Sequence, residues 1–237
     1  MKMWTITLKI FRQKNGLKHS YDFFSQSVSP DETVLDAVEK VWAFQDRSLV
    51  YNHACHHSTC GACGMRVNGI EKLTCITPLR EVTQDGGILT LEPIRHFPPI
   101  SDLAVDLRPL YRRMAAAGHR PVLPGREEAA PEEKAPETDE LRLADCIECG
   151  LCISVCPAAI TSSAYLGPAV LAGAQQSKKL DLPVCALVDT QDGAWRCHSA
   201  FECSEVCPSH VDPAARIMDL RRRLITLNLR RLFGLAE

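Results

Sequence analysis

The chain has 237 residues, 46% of them hydrophobic and 24% charged, with a formal net charge of −2 at pH 7. That is enough chain for one large or two ordinary domains with a buried core, and a charge so near neutrality gives no ground for a nucleic-acid partner. Twelve cysteines, no apolar leader after Met1-Lys2-Met3-Trp4, and a longest small-apolar stretch (Ala164 to Ala174) far short of the ~20 residues of a membrane span point to metal or redox chemistry in a reducing cytoplasm, not to disulfides.

Trp4, Ile6, Leu8 and Ile10 alternate with Thr5, Thr7 and Lys9, which predicts a half-buried strand. A second run around Tyr21 and Phe23 is placed to pair with it. Thr33 and Asp36 have the spacing of a capping box, and Val34, Ala37, Val38, Val41 and Trp42 follow at helical intervals. Asn68-Gly69 between two extended segments predicts a type I′ hairpin, and Ile88–Glu92 a further strand. From Arg120 to Thr138, four prolines and many charges exclude a packed core, so the domain boundary falls in a linker between about 103 and 140. Beyond it strand alternation stops. From Pro213 onward Ile217, Leu220, Leu224 and Leu227 share one helical face, with Arg221, Arg222 and Arg223 around them. The chain is therefore expected to be α+β: a mixed first domain over 1–103, a connecting segment over 104–140, and a mostly helical domain over 141–237.

The cysteines fall into two groups. Cys55-x4-Cys60-x2-Cys63 followed by Cys75 has plant-type [2Fe–2S] ligand spacing. Three thiolates converging on two irons need a tight loop, and Gly61 and Gly64 beside Cys60 and Cys63 permit one. Backbone N–H groups in such a loop can point at sulfur and favour the reduced state. The fourth ligand, Cys75, is expected from the strand after the hairpin. A structural zinc site would pair two short knuckles, and Cys55 and Cys75 do not form one. His56 and His57 invite a Rieske-type reading, but four cysteines already complete the set, and both imidazoles are expected at the surface.

In the second group, Cys146-x2-Cys149-x2-Cys152-x3-Cys156-Pro157 is a bacterial ferredoxin run, whose fourth cysteine serves the neighbouring cluster. Its partner is Cys197-x5-Cys203-x3-Cys207-Pro208. Aligned on their Cys-Pro ends, the two runs match Cys146, Cys149 and Cys152 with Cys197, Ala200 and Cys203. Alanine cannot ligate iron, so that corner predicts a three-iron cluster. Crossed ligation then gives [4Fe–4S] on Cys146, Cys149, Cys152 and Cys207, and [3Fe–4S] on Cys156, Cys197 and Cys203. Cys185 is left as a small buried hydrophobe.

No G-x-G-x-x-G, P-loop or H-E-x-x-H occurs, and no nucleophile or paired-carboxylate set stands out. Three clusters without a flavin site make a relay whose electron donor and acceptor are brought by partners.

At this point the sequence resembles the iron–sulfur subunit of succinate dehydrogenase and fumarate reductase, respiratory complex II. The likeness covers nearly the whole chain. It rests on Cys55-His-His-Ser-Thr-Cys-Gly-Ala-Cys-Gly64, Cys146-Ile-Glu-Cys-Gly-Leu-Cys-Ile-Ser-Val-Cys-Pro157, Trp195-Arg-Cys-His-Ser-Ala-Phe-Glu-Cys-Ser-Glu-Val-Cys-Pro208 and Pro98-Pro-Ile-Ser-Asp-Leu-Ala-Val-Asp106. The resemblance implies a β-grasp, plant-type ferredoxin-like domain followed by a helical, bacterial-ferredoxin-like one. It implies partners too: an FAD-containing flavoprotein, and a membrane anchor, with or without haem b, on the cytoplasmic face of a prokaryotic membrane. Electrons would pass between FAD and quinone through the three clusters, in either direction. It places a quinone pocket at Pro157, His198 and Arg221, with the basic helix from Arg216 to Arg231 near the anchor or the lipid surface. Two departures stand out. The family commonly has arginine and glycine where His56 and Ser58 stand, and its ubiquinone-reducing members carry tryptophan shortly after the position of Pro157, where this chain reads Ala158-Ala-Ile-Thr-Ser-Ser163. The second departure favours menaquinone. A relay subunit of another flavin-linked reductase is the alternative.

Overall fold

The computed structural model describes residues 3–14, 18–118, 146–176 and 182–234. The expected linker over 120–138 lies outside them. The chain divides into two compact units, one of residues 1–107 with 149–155, the other of 108–148 with 156–237.

The first unit is built on strands β1 (Trp4–Arg12), β2 (Ser20–Val28), β3 (Gly64–Val67), β4 (Ile70–Leu73) and β5 (Ile88–Glu92), in the order β2-β1-β5-β3-β4. β1 runs antiparallel to β2 and parallel to β5, and β3 is antiparallel to both β4 and β5. The alternation of β1 sends Ile6, Leu8 and Ile10 into the core with Met65, Val67, Leu89 and Leu91. Helix α1 (Val34–Phe44) covers them with Val34, Leu35, Ala37, Val38 and Val41. Its start is fixed as expected: Thr33 Oγ1 accepts from Asp36 N at 3.1 Å, and the Asp36 carboxylate accepts from Thr33 N at 2.8 Å. Trp42 is the exception. It lies at the edge of the apolar stripe, 39% exposed, with the Arg47 guanidinium 4.2 Å from its ring centroid. The β3–β4 turn places both Asn68 (φ 51°) and Gly69 (φ 85°) in the left-handed region, as a type I′ hairpin requires. A short helix, α2 (Leu79–Val82), and a small antiparallel pair, β6 (Pro99–Ser101) with β7 (Ala104–Val105), complete this part.

Two buried ionic clusters tie the approach to the cysteine loop. Asp102 is fully buried. Its carboxylate accepts from Gln13 N at 3.1 Å and from Val50 N at 3.0 Å, and lies 3.2 Å from Arg12 Nε. Arg12 also reaches Asp46 at 2.5 Å and Asp22 at 2.8 Å. The segment that leads to Cys55 is thus pinned to the end of β1. In the second cluster, Glu71 on β4 accepts from Ser154 Oγ at 2.8 Å and from Arg95 at 3.1 Å, while Ser154 Oγ accepts from Arg95 N at 2.8 Å.

The remaining helices are α3 (Arg108–Ala116), α4 (Leu151–Ser154), α5 (Pro157–Thr161), α6 (Pro168–Gln176), α7 (Leu182–Val188), α8 (Glu202–Glu205) and α9 (Pro213–Leu232). No described strand falls after Val105, so the helical reading of this half holds among the described residues. In the second unit α6 is buried almost throughout and packs on α9, whose Ile217, Leu220 and Leu224 face inward as their spacing predicts. Pro213 opens α9, and Asp212 caps it by accepting from Ala215 N at 3.1 Å. Cys185 is buried on α7. Among the described residues, no helix is long and apolar enough to cross a membrane.

Candidate metal centres

The loop from Cys55 to Cys63 winds through three left-handed residues, His56 (φ 60°), Ser58 (φ 58°) and Gly61 (φ 67°). That winding turns successive N–H groups inward. His57, Thr59 and Cys60 N–H donate to Cys55 Sγ at 3.5, 3.3 and 3.3 Å, and Ser58 N–H donates to Cys75 Sγ at 3.4 Å. The donation from His57, with that of Cys60 and Thr59, overrides burial and pulls the Cys55 thiol down to about 6. Burial foremost pushes Cys75 up to about 11, with the Cys63 thiol beside it adding to the rise. Cys75 sits two residues beyond the strand expected to carry it, in the 3-10 turn Thr74–Ile76 that follows β4. Gly64 allows close approach: a Cβ there would stand 3.1 Å from Leu151 Cδ2. Four thiols with N–H donors already trained on two of their sulfurs fit a dinuclear iron–sulfide group.

In the second unit Cys156, Cys197 and Cys203 line one pocket of about 320 Å³, counting its open mouth, together with Pro157, His198 and Ala200. Burial drives the Cys203 thiol up to about 12, and the Cys156 and Cys197 thiols push it further the same way. Three thiols so close favour a cation between them. Tyr165 also lines the pocket. Its hydroxyl is buried and has no hydrogen-bond partner among the described residues, and burial together with the three thiols raises its pKa. An O–H donor with nothing to donate to, beside three crowded thiols, fits a group rich in sulfide. Arg113 positions this segment by donating to Tyr165 O at 3.0 Å and Ser163 O at 2.9 Å. Sequence reasoning missed Tyr165 because its surroundings carry neither a motif nor a period.

The two ferredoxin runs share their backbone as well as their spacing. Glu148 (φ 55°) and Gly150 (φ 77°) flank Cys149, and Ser199 (φ 57°) and Phe201 (φ 63°) flank Ala200. The paired left-handed residues fall at equivalent positions, and both runs continue into a one-turn helix, α4 or α8. Within the second unit Cys146 and Cys207 pack on Ala172 and Val211. Burial, then Cys207 among the charges, raises the Cys146 thiol. Cys149 and Cys152 belong to the first unit.

Of the residues expected around quinone, Pro157 and His198 line the three-thiol pocket. Arg221 is not among the lining residues, and its guanidinium is held by groups beside that pocket. It donates through Nε to Ala194 O at 2.8 Å and through its terminal nitrogens to Cys197 O and, at 3.4 Å, to Ser199 Oγ. Two neighbours on the basic helix are also turned inward: Arg216 to Gln175 Oε1 at 3.1 Å and Arg223 to Gln175 O at 2.5 Å.

A sheet that carries one cysteine loop, followed by helices that carry two ferredoxin runs, defines an iron–sulfur electron-transfer protein. Comparison with known proteins narrows the class. Residues 7–112 match the 2Fe-2S iron-sulfur cluster binding domain and residues 142–211 the 4Fe-4S dicluster domain. The fumarate reductase iron-sulfur subunit of Haemophilus influenzae is 32% identical over 211 residues, covering 78% of each chain. That of Mycobacterium tuberculosis is 30% identical over 96% of each. The Mycobacterium smegmatis Sdh1 complex in the apo form contains a chain of the same fold, with a TM-score of 0.77 at 23% identity over 94% of this chain and 96% of that one. The chain belongs to the family of fumarate reductase and succinate dehydrogenase iron–sulfur subunits. It is a subunit of an oxidoreductase complex, and its cofactors are a [2Fe–2S], a [4Fe–4S] and a [3Fe–4S] cluster.

Proposed function

We propose that this chain carries electrons between FAD in a partner flavoprotein and quinone, in the menaquinone class, at a membrane anchor on the cytoplasmic face of a prokaryotic membrane. Cys55, Cys60, Cys63 and Cys75 hold [2Fe–2S]. Cys146, Cys149, Cys152 and Cys207 hold [4Fe–4S], and Cys156, Cys197 and Cys203 hold [3Fe–4S]. The first domain spans 1–103, joined through 104–140 to a second over 141–237. When bound, the clusters supply one-electron steps in series between a two-electron donor and a two-electron acceptor. The residues do the rest: N–H groups of the first loop stabilise negative charge on Cys55, and Tyr165 offers an O–H to the three-thiol pocket. The observation that carries the reading is the meeting of Cys156, Cys197, Cys203 and Ala200 around one pocket that Pro157 and His198 also line.

The purified membrane complex should contain a flavoprotein and reduce a menaquinone analogue with succinate, or oxidise its quinol with fumarate, faster than it handles a ubiquinone analogue. His198→Ala should raise the quinone KM and leave turnover with a soluble dye intact. A complex that turns over neither dicarboxylate with any quinone, and brings down a different flavin enzyme, would sink the proposal.

A further inference from the structure

Three groups that the cluster ligand sets leave unused converge beside the first cysteine loop: Glu39 on α1, His53, and His56 next to Cys55. His53 Nδ1 lies 3.3 Å from His56 Nε2. Glu39 Oε1 lies 3.3 Å from His53 Nδ1 and 3.2 Å from His56 Nε2. The same three atoms make all three contacts, so they form a nearly equilateral triangle.

A hydrogen bond between the two rings accounts for one edge of this triangle and leaves the two edges to Glu39 without one. Glu39 Oε1 is screened from solvent and has no hydrogen-bond donor in line among the described residues, although two imidazole nitrogens stand close to it. Even with both rings donating to the carboxylate, the nitrogen–nitrogen contact would then set two N–H groups against each other. The two rings can share one hydrogen bond, but their contacts to Glu39 Oε1 lack hydrogen-bond geometry, so the carboxylate oxygen meets both nitrogens without being bonded to either.

The edge length says what fits there. Four ligands at about 2.05 Å around a tetrahedral ion stand about 3.3 Å apart, whereas an octahedral face at about 2.15 Å has edges of about 3.0 Å. Two imidazoles and a carboxylate are borderline nitrogen and oxygen donors, suited to zinc and not to calcium or magnesium. The side chains are 40% (His53), 43% (His56) and 30% (Glu39) exposed, so a fourth position is open to water.

The supports are rigid. Glu39 rides on a helix with a complete capping box. The His53 ring stacks on Tyr51, centroids 5.0 Å apart at 21°, and meets the His56 ring edge-on at 89°. We infer that Glu39, His53 and His56 form a zinc-class divalent metal site, distinct from the iron–sulfur ligand sets, that ties α1 to the loop bearing Cys55.

The test uses the untagged, cluster-replete complex and Zn2+ alone, titrated against a competing chromophoric chelator. One zinc should bind saturably per chain. His53→Gln and Glu39→Gln should each weaken it at least about tenfold while absorbance and paramagnetic resonance report full cluster content. Zinc-edge X-ray absorption should give a nitrogen/oxygen shell near ~2.0 Å with no sulfur near ~2.3 Å. Absence of saturable binding in the wild type, equal affinity in either variant, or a sulfur shell overturns the assignment.

Discussion

Arg221 decides between two roles, and its replacement separates them. The structure spends its guanidinium on Ala194 O and Cys197 O, the carbonyls on either side of the turn that delivers Cys197, with a longer reach to Ser199 Oγ. A hydrogen bond from a charged donor contributes about 1.5–3 kcal/mol. Arg221 is half-buried, so the lower figure applies to each of the two carbonyl bonds. The Trp195 ring, 5.8 Å away, adds at most about 0.5 kcal/mol at this exposure. Arg221→Met should therefore release the loop at a cost of about 3 kcal/mol, and Arg221→Lys, able to keep one bond, about half that. For a chain of this size 3 kcal/mol corresponds to roughly 6–12 °C in melting midpoint. The assay follows the paramagnetic signal of the oxidised three-iron centre against temperature, together with quinone kinetics on the same preparations. The clamp predicts early loss of that signal in Arg221→Met, an intermediate midpoint in Arg221→Lys, and quinone turnover that falls in step with cluster content. Full cluster content and an unshifted midpoint in Arg221→Met, combined with a raised quinone KM, would refute the clamp and return Arg221 to the quinone pocket.

Three further outcomes are expected. Ala200→Cys supplies the missing thiolate on a loop already shaped for it, so the three-iron signal should give way to a reduced [4Fe–4S] signal with about one more iron per chain; a wild type with no three-iron signal would show the assignment to be wrong. Ser58→Gly removes a left-handed serine (φ 58°) and should stabilise the first unit by about 1 kcal/mol, read as a higher denaturant midpoint with the [2Fe–2S] spectrum unchanged. Arg12→Met strands the fully buried Asp102 carboxylate and should cost about 3–5 kcal/mol, measured in the same way, whereas Asp22→Asn at the exposed end of the cluster should cost less than about 1 kcal/mol.

What was legible in the sequence is what depends on neighbours along the chain. The alternation of Trp4 to Ile10, the Thr33–Asp36 capping box, the Asn68-Gly69 turn and the helical stripe of Ile217, Leu220 and Leu224 are local patterns, and each appears where its period or cap puts it. The cysteine runs were legible for the same reason, since their spacing is itself the constraint of wrapping a chain around a small inorganic core. Contacts between distant parts of the chain were not. Glu71 meets Ser154 across 83 positions and Arg12 meets Asp102 across ninety, and no periodicity marks such partners in advance. Tyr165 and His53 escaped for a related reason: each becomes informative only when elements far apart in sequence bring their unused polar atoms to one place. Trp42 reads as core on helical spacing, but its ring stays 39% exposed and is covered by the Arg47 guanidinium.

The pair of ferredoxin runs shows how narrowly cluster type is set. Backbone shape is the same in both, down to left-handed residues at matched positions, Glu148 with Ser199 and Gly150 with Phe201. The cost of holding that shape differs. At Gly150 the left-handed conformation is free of a Cβ, which would stand 2.9 Å from Phe97 Cζ; at Phe201 the same conformation costs about 1–2 kcal/mol. A chain under no constraint there would relax, and this one does not. The second run therefore keeps the full geometry of a four-thiolate loop at some cost in stability while leaving one corner without a thiol. Loop geometry and ligand type are thus separable: at matched positions of two runs with the same left-handed residues, the methyl of Ala200 stands where the first run has the sulfur of Cys149.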